Sequence, residues 1–302
     1  VPSSNQATEY DVQMVPLEKY DLSLNLNLPP NFDESLLIQL ESEGFSEDLD
    51  GNENSYNLPE GEYVLTINSE NLFPEILEIN LVEDVTLNID LKWKSTIFYD
   101  DFLDLDNWNN SGGWIVENSI LKSQQDFLYN HEINNTLTLN QGFAFQSGSN
   151  YVMSLDTRYE LEWDNDYVSI YSNCQECSDN EFFHLSDTDY EWQHLYSPFN
   201  HEQDYDVHNS FSINFITDHS LNYRGFELDN LSILLKPTSG YCHVSDLNQD
   251  AVIDINDVVR LVEIIFNDNV SGFESCVANV FEDDFINIID IVELVNFILI
   301  NN

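Results

Sequence analysis

From Tyr20 to Leu235 the apolar residues of this chain recur, run after run, at every second position; from about residue 245 onward they recur at helical spacing instead. In YDLSLNLNL, Tyr20, Leu22, Leu24, Leu26 and Leu28 share one face of an extended strand, and Asp21, Ser23, Asn25 and Asn27 the other. Such alternation fits a strand with one face in a core and one in water; a helix would scatter the same residues round its axis. SLLIQLES, GEYVLTIN, EILEINL and DVTLNIDLKW follow, divided by the turn sequences LPPN, LDGNEN and LPEG. Short strands in series without a helical stretch predict a small antiparallel β-sandwich over residues 1–95. Beyond Phe98 the strands lengthen and fill with aromatics, as in YVMSLDTRYELEW, DYVSIYSN, WQHLYSPF, SFSINFIT and FELDNLSILL, which predicts a larger sandwich over 96–236. A KPTSG linker then leads to residues 237–302. The expected fold class is mainly β, two antiparallel β-sandwiches followed by a small α-helical module.

Fifty-six Asp and Glu against eight Lys and Arg leave the 302 residues with a formal net charge of -48. That field repels phosphate backbones and anionic headgroups, which excludes nucleic acid and membrane surfaces as partners. Counter-ions, divalent cations above all, relieve the self-repulsion, so a salty or calcium-containing medium is the expected setting. No run of about eighteen apolar residues exists to insert into a membrane. The chain is expected to be secreted, in the extracellular space or attached to a cell surface, as a mature product or a piece of a longer precursor. Cys174, Cys177, Cys242 and Cys276 form an even set compatible with two disulfides in such a compartment.

The last sixty residues read as one unit written twice. At an offset of thirty-three the halves share Asp250/Asp283, Ile253/Ile286, Asp257/Asp290, Val259/Val292, Leu261/Leu294, Val262/Val295 and Ile265/Ile298. Each half opens with an acidic loop. Calcium takes six to eight oxygens, and a twelve-residue loop offers them at positions one, three, five, seven, nine and twelve. In DLNQDAVIDIND these are Asp246, Asn248, Asp250, the Val252 carbonyl, Asp254 and Asp257. Ala251 occupies the sixth position, where a left-handed residue is needed, at an expected cost of roughly 1 kcal/mol. The second loop offers Asn279, Asp283, the Phe285 carbonyl, Asn287 and Asp290, with Phe281 where a ligand should stand. Fewer acids mean weaker binding there.

This tandem arrangement, a calcium loop with Asp at its twelfth position followed by one helix, resembles the dockerin module. The resemblance implies Ca2+ as cofactor and a protein partner, a cohesin-like domain, contacted at loop positions ten and eleven: Ile255 with Asn256, and Ile288 with Ile289. Ile255, Ile288, Ile289 and Phe281 are unusually apolar for that role. Cys242 and Cys276 precede their loops by nearly equal distances, which suits a disulfide joining the halves. The helices DVVRLVEIIFN and DIVELVNFILI are apolar on more than one face, so some of that surface must meet another domain or another chain.

Two weaker resemblances precede it. LPEGEYVLTINSENLFPEILEINLVEDVTLNIDL, with its LPxGxY turn and the Phe73–Pro74 corner, resembles the carboxypeptidase regulatory-like domain, a small Ig- or transthyretin-like sandwich that serves as a non-catalytic spacer. DDFLDLDNWNNSGGW, YELEWDNDYVSIYS, EWQHLYSPF and GFELDNLSIL resemble the jelly rolls of the MAM and immune-inhibitor type, which accompany secreted peptidases. Several of those hold a structural calcium, and the acids at the matching places are Asp100, Asp101 and Asp229.

NCQEC, between two strands, reads as a loop disulfide or a pair of quiet thiols, and the seven histidines form no HExxH. No nucleophile elbow or phosphate-binding loop appears, so no enzyme is expected. Trp108, Trp114, Trp163 and Trp192 suit either the core or a sugar-stacking platform. The expected function is calcium-dependent attachment or assembly through the terminal module. The alternatives are a subunit of an extracellular filament or surface layer built from copies of itself, accessory domains of a secreted peptidase, and a glycan-binding module.

Overall fold

A computed structural model of the chain describes residues 17–51, 53–124, 128–145, 148–174, 181–200, 207–237, 245–267, 270–281, 283 and 285–301. It is mainly β with a helical C-terminal part. Contacts divide it into two compact units.

The first unit holds β1 (Lys19–Asn27), β2 (Leu37–Ser42), β3 (Phe45–Leu49), β4 (Ser55–Pro59), β5 (Gly61–Asn68), β6 (Glu75–Leu81) and β7 (Val85–Asp90). They form a three-stranded sheet, β4-β1-β7, and a four-stranded sheet, β3-β2-β5-β6. The alternation read in the sequence fixes which faces meet. Leu22 and Leu24 of β1, Ile38 and Leu40 of β2, Leu65 and Ile67 of β5 and Ile89 of β7 are all buried. Two features depart from expectation. β1 and β7, the first and last strands of the unit, pair in parallel, Leu22 opposite Val85 through Asn27 opposite Asp90, so the sandwich is not wholly antiparallel. β3 has almost no buried residue and no apolar period; it exists because Glu43 and Gly44 turn the chain back on β2, with Gly44 at φ 74°.

The second unit contains residues 91–302 and also the segments 28–35 and 69–74, which the sequence places inside the first sandwich. Its strands are β8 (Ser95–Asp100), β9 (Trp108–Asn110), β10 (Ile115–Val116), β11 (Leu121–Lys122), β12 (Asn134–Leu139), β13 (Phe143–Phe145), β14 (Asn150–Glu160), β15 (Tyr167–Cys174), β16 (Glu181–Leu185), β17 (Thr188–Asn200), β18 (Val207–Ile216) and β19 (Gly225–Leu235). One sheet runs β10-β11-β19-β14-β17 with β8 also on β19; the other runs β16-β15-β18-β12-β9 with β13 on β18. Every pairing in the two sheets is antiparallel. Met153 and Leu155 of β14, Ile170 of β15, Ile213 and Phe215 of β18 and Ile233 of β19 fill the space between them.

Three helices follow: α1 (Ile255–Phe266), α2 (Gly272–Val277) and α3 (Ile288–Asn301). α2 was not expected, although Ser271 and Glu274 form a complete capping box at its start, a signal present in SGFE. Segments 28–35 and 69–74 close on this part. The Gly272 N–H donates to Asp33 Oδ1 at 3.1 Å, Gln249 Nε2 donates to Asn71 Oδ1 at 2.6 Å, and Phe32 and Phe273 both meet the ring of buried Trp93 at 5.7 Å. The Asn31 carbonyl oxygen lies 1.9 Å from where a Cβ on residue 272 would stand, so only glycine fits.

Candidate functional site

The two faces of β17 compete for the core. Tyr190, Trp192, His194, Tyr196 and Pro198 stand on one side; Glu191, Gln193, Leu195, Ser197 and Phe199 stand on the other. Burial of apolar area alone would turn the first set inward. The strand does the reverse: Leu195 and Phe199 pack on the core, Gln193 Nε2 is buried without a partner, and Trp192 is 43% exposed. An unpartnered buried donor costs roughly 1–3 kcal/mol. Pairing with β14 imposes this choice, because Leu155 opposite Leu195 fixes an inward pair, which leaves Ser154 opposite Tyr196 and Asp156 opposite His194 on the outer face.

A chain of hydrogen bonds crosses that face through four strands. Tyr99 donates its hydroxyl to Asn230 Oδ1 at 2.8 Å; Asn230 Nδ2 donates to Asp156 Oδ2 at 2.8 Å; His194 Nδ1 donates to Asp156 Oδ1 at 2.5 Å; Ser154 Oγ and His194 Nε2 are 2.9 Å apart. A bulge makes the chain possible. Ser154 faces Ser232 and Asp156 faces Asp229, so two residues of β19 oppose Leu155, and Asn230 takes φ 49°. Bulges re-aim side chains beside functional sites, and a left-handed non-glycine residue persists only where its surroundings hold it. Burial alone would raise the Asp156 carboxyl, but the bonds from His194 and Asn230 outweigh it and hold the group below its ordinary value. Ser154, His194 and Asp156 have the contacts of a Ser-His-Asp triad. Ser154 is only 4% exposed, in a strand paired on both sides, and the array holds the imidazole by both ring nitrogens.

Toward the other end of β17 the face carries paired cations among aromatic rings. The Arg158 guanidinium carbon lies 4.8 Å from the ring centre of Tyr190 and 5.0 Å from that of Trp192, and that of Arg224 lies 4.4 Å from Tyr190. Arg158 Nη2 meets Glu227 Oε2 at 2.6 Å, Lys122 Nζ meets Glu117 Oε2 at 2.6 Å, and Arg224 Nε meets Glu160 Oε2 at 3.4 Å. Of the tryptophans named from the sequence, Trp108 and Trp114 are core, whereas Trp163 and Trp192 are exposed.

The acids expected to hold a jelly-roll cation lie at the end of β8, Asp100, just after it, Asp101, and on β19, Asp229. Asp100 is buried, with Oδ1 accepting from the Phe102 N–H at 2.8 Å and Oδ2 from Trp108 Nε1 at 2.7 Å. Asp229 Oδ1 accepts from the Asn230 N–H, and burial raises both carboxyls. Asp101, partly exposed, contributes to the raised Asp229. Among the described residues the acids whose oxygens gather within 4.8 Å are Glu162, Asp166 and Asp218. Their oxygens are engaged by Tyr129, Ser220 and the backbone N–H groups of Asp218, Ser220 and Leu221.

In the first terminal loop Asp257 is buried, its Oδ1 accepting from the Leu247 and Asn248 N–H groups and its Oδ2 from Asp254 N–H. Asp254 caps α1. Asn248 Oδ1 and Asp250 Oδ1 each accept from the backbone two residues on, and Ala251 adopts φ 65°, as position six demands. Asp246 Oδ1 is buried without a partner. Burial, then the carboxylates of Asp257 and Asp250, pushes the Asp246 carboxyl up to about 6. The second loop repeats the frame: buried Asp290 accepts from the Phe281 and Asn287 N–H groups, and Asn279 Oδ1 from Asp283 N–H. Val252 and Phe285, Ile255 and Ile288, and Val259 and Val292 are exposed at equivalent places in both halves, as are Ile289 and Phe281 in the second and Asn256 in the first. Cys276 is disulfide-bonded. Cys242 and Cys177, and the side chain of Cys174, lie outside what is described.

No protein-family model matches the chain, and no curated protein sequence does. Among solved structures it is similar to the CBM22-1 and GH10 modules of endo-1,4-beta-D-xylanase 10B from Clostridium thermocellum, at 14% identity, 48% of this chain, 29% of that one and a TM-score of 0.33. The chain thus spans under a third of that structure's length. It is similar also to the CBM22-1 xylan-binding domain from Paenibacillus barcinonensis, at 13% identity, 49% of this chain, 99% of that one and a TM-score of 0.31. A third is the C-terminal family 22 carbohydrate binding module of Clostridium thermocellum, at 12% identity, 48% of this chain, 97% of that one and a TM-score of 0.32. At such TM-scores these likenesses decide neither fold nor ligand.

Proposed function

We propose that this chain is an extracellular glycan-binding and attachment protein, its larger sandwich binding a polysaccharide on the outer face of β17, β14 and β19. The register of β17 carries the reading. It leaves Trp192 43% exposed, with half-buried Tyr190 and Tyr196 on the same side and Tyr190 under the Arg158 and Arg224 guanidiniums, while Gln193 goes inward unpaired, and a locally unfavourable choice of that kind is expected where function holds it. Exposed aromatic faces stack on the C–H faces of sugar rings, and fixed polar groups beside them select the hydroxyls. A bulge sets residues 190–192 of β17 against Arg158 alone, so Tyr190 to Tyr196 runs along fewer than five residues of β14, roughly 15 Å at about 3.4 Å per residue, room for about three sugar units. Affinity electrophoresis of the full chain against a panel of polysaccharides tests this. At least one should retard it, and Trp192→Ala should weaken that binding about tenfold or more with its circular dichroism unchanged. Retardation by none, or a variant that binds like its parent, would refute the reading.

A second reading, favoured by a different observation, concerns the C-terminal part: attachment to a protein through the apolar residues that both halves expose at equivalent positions. Asp246, Asn248, Asp250, the Val252 carbonyl, Asp254 and Asp257 would hold a calcium ion, and the orphaned Asp246 Oδ1 between two further carboxylates fits that group. Bound calcium supplies positive charge that offsets these acids. Asp257 then serves as a strut from the head of α1 to the loop, and α1 and α3 offer Ile255, Val259, Ile288 and Val292 to a partner. In the second loop Asp290 makes the same strut, so Asn279, Asp283, the Phe285 carbonyl and Asn287 keep their shape with less charge to hold an ion. At -48 per copy, a neutral or basic domain of cohesin-like kind suits this surface better than a second copy does. Isothermal titration of the chelator-treated chain with calcium should find one strong site that Asp250→Ala removes.

A further inference from the structure

We infer that the polysaccharide taken by the β17 face is uncharged, an inference that rests on the glycan-binding reading above. Only eight cationic residues exist in the chain, and three of them, Lys122, Arg158 and Arg224, gather at one end of this single sheet face. Each is matched. Arg158 is held on Glu227 by both Nε, at 2.7 Å, and Nη2, at 2.6 Å; Lys122 lies 2.6 Å from Glu117 and 3.8 Å from Glu227; Arg224 lies 3.4 Å from Glu160. Each of the three cations thus already sits on a carboxylate, within a chain whose net charge is -48.

That pairing decides among sugar classes. A uronate or sulfate ester would have to take a guanidinium from its carboxylate, leaving Glu227 or Glu160 uncompensated against the ligand's own charge. Glu227 is mostly buried, with 12% of its side chain exposed, so losing Arg158 would be costly. A polymer with a charge on every unit would also run from the paired cations toward Asp156, Asp229 and Asp101, whose mutual repulsion already acts on this face. Salt screens the distant part of this repulsion, over about 8 Å at physiological strength, but leaves the competition for each cation in place. An uncharged sugar meets none of these penalties. Each hydroxyl both donates and accepts, and the face offers both kinds of partner side by side: guanidinium N–H groups next to carboxylate oxygens, and the oriented imidazole of His194 beside Trp192 and Tyr196.

Affinity electrophoresis and calorimetry of the full chain, with neutral polymers (xylan, laminarin, mannan, galactan) and anionic ones (alginate, polygalacturonate, carrageenan), at 50 mM and 500 mM NaCl, test the inference. At least one neutral polymer should bind, with an affinity that changes less than about twofold between the two salts and falls about tenfold or more in Trp192→Ala. The anionic polymers should fail to bind at either salt. Trp192-dependent binding of an anionic polymer, as tight as or tighter than that of every neutral one, would overturn the inference and leave the glycan-binding reading standing. No binding to any polymer, or binding indifferent to Trp192, would overturn both.

Discussion

Gln193 and Asp246 are each placed where their own chemistry would not put them, and each points to what its neighbours do. The Gln193 amide faces the core with Nε2 unpartnered because the strand keeps its aromatic side for solvent. Gln193→Leu, close in volume, removes that orphan donor and adds apolar burial; it should raise unfolding stability by about 1–2 kcal/mol in urea melts and leave glycan affinity unchanged. A stabilised variant with altered affinity would mean that the residue belongs to the site itself. Asp246 is the opposite case, a carboxyl raised to about 6 by burial and by Asp257 and Asp250. A folded-state value above the unfolded one, near 3.8, stabilises the fold below about pH 4, and that contribution is lost as pH rises through about 6. In chelator the terminal module should therefore melt higher at pH 5 than at pH 7.5. Asp246→Asn, which cannot ionise, should narrow that gap and also abolish the rise in melting temperature that calcium gives the parent at pH 7.5.

At the scale of elements, regular strands with one clean apolar phase, β1, β5 and β14 among them, were legible in the sequence, as were α1, α3 and the loop that opens each. What was not legible had no period to read. β3 is an exposed edge strand set by a turn; α2 is six residues long and announced only by its capping box; the parallel pairing of β1 with β7 joins residues some sixty positions apart. β17 misleads for a different reason, since its apolar phase is the outward one, and only its register against Leu155 tells which side is core. The site on that face was foreseen only as a condition, a row of exposed aromatics, and the network of Tyr99, Asn230, Asp156 and His194 left no local signal because its members come from four strands. Two backbone positions test the elements directly. Gly272→Ala would push a methyl against the Asn31 carbonyl, so it should cost about 1–3 kcal/mol and speed amide exchange in α2 and residues 28–35, with β14 and β18 unchanged. Ala251 holds φ 65° at a side-chain penalty; Ala251→Gly should relieve about 1 kcal/mol and tighten calcium binding about fivefold in calorimetry.

Over the whole molecule one number governs association, a net charge of -48 on a 35.0 kDa chain. Apolar residues exposed in equivalent pairs, Ile255 with Ile288 and Val259 with Val292, invite a twofold contact between copies, which would make a dimer or, with a second contact, a filament. Charge opposes that contact and hydrophobic area favours it. The two act over different ranges, because repulsion beyond about 8 Å is screened at physiological salt whereas acids at the rim of a contact are not. Glu263 on α1, paired with Arg260 at 3.1 Å, and Glu293 on α3 are exposed beside the apolar residues; Glu293 would face its own kind across a self-contact, while a neutral or basic partner would meet it without penalty. The calcium-loaded chain alone is therefore expected to remain at 35.0 kDa in light scattering at 0.15 M salt. It should nevertheless bind a hydrophobic reporter dye more strongly with calcium than with chelator, and the double variant Ile255→Lys, Ile288→Lys should lose that gain. A mass that climbs with protein concentration in calcium, and returns to the monomer in the double variant, would assign the surface to self-assembly. Calcium-independent dye binding would separate the surface from the loop that precedes it.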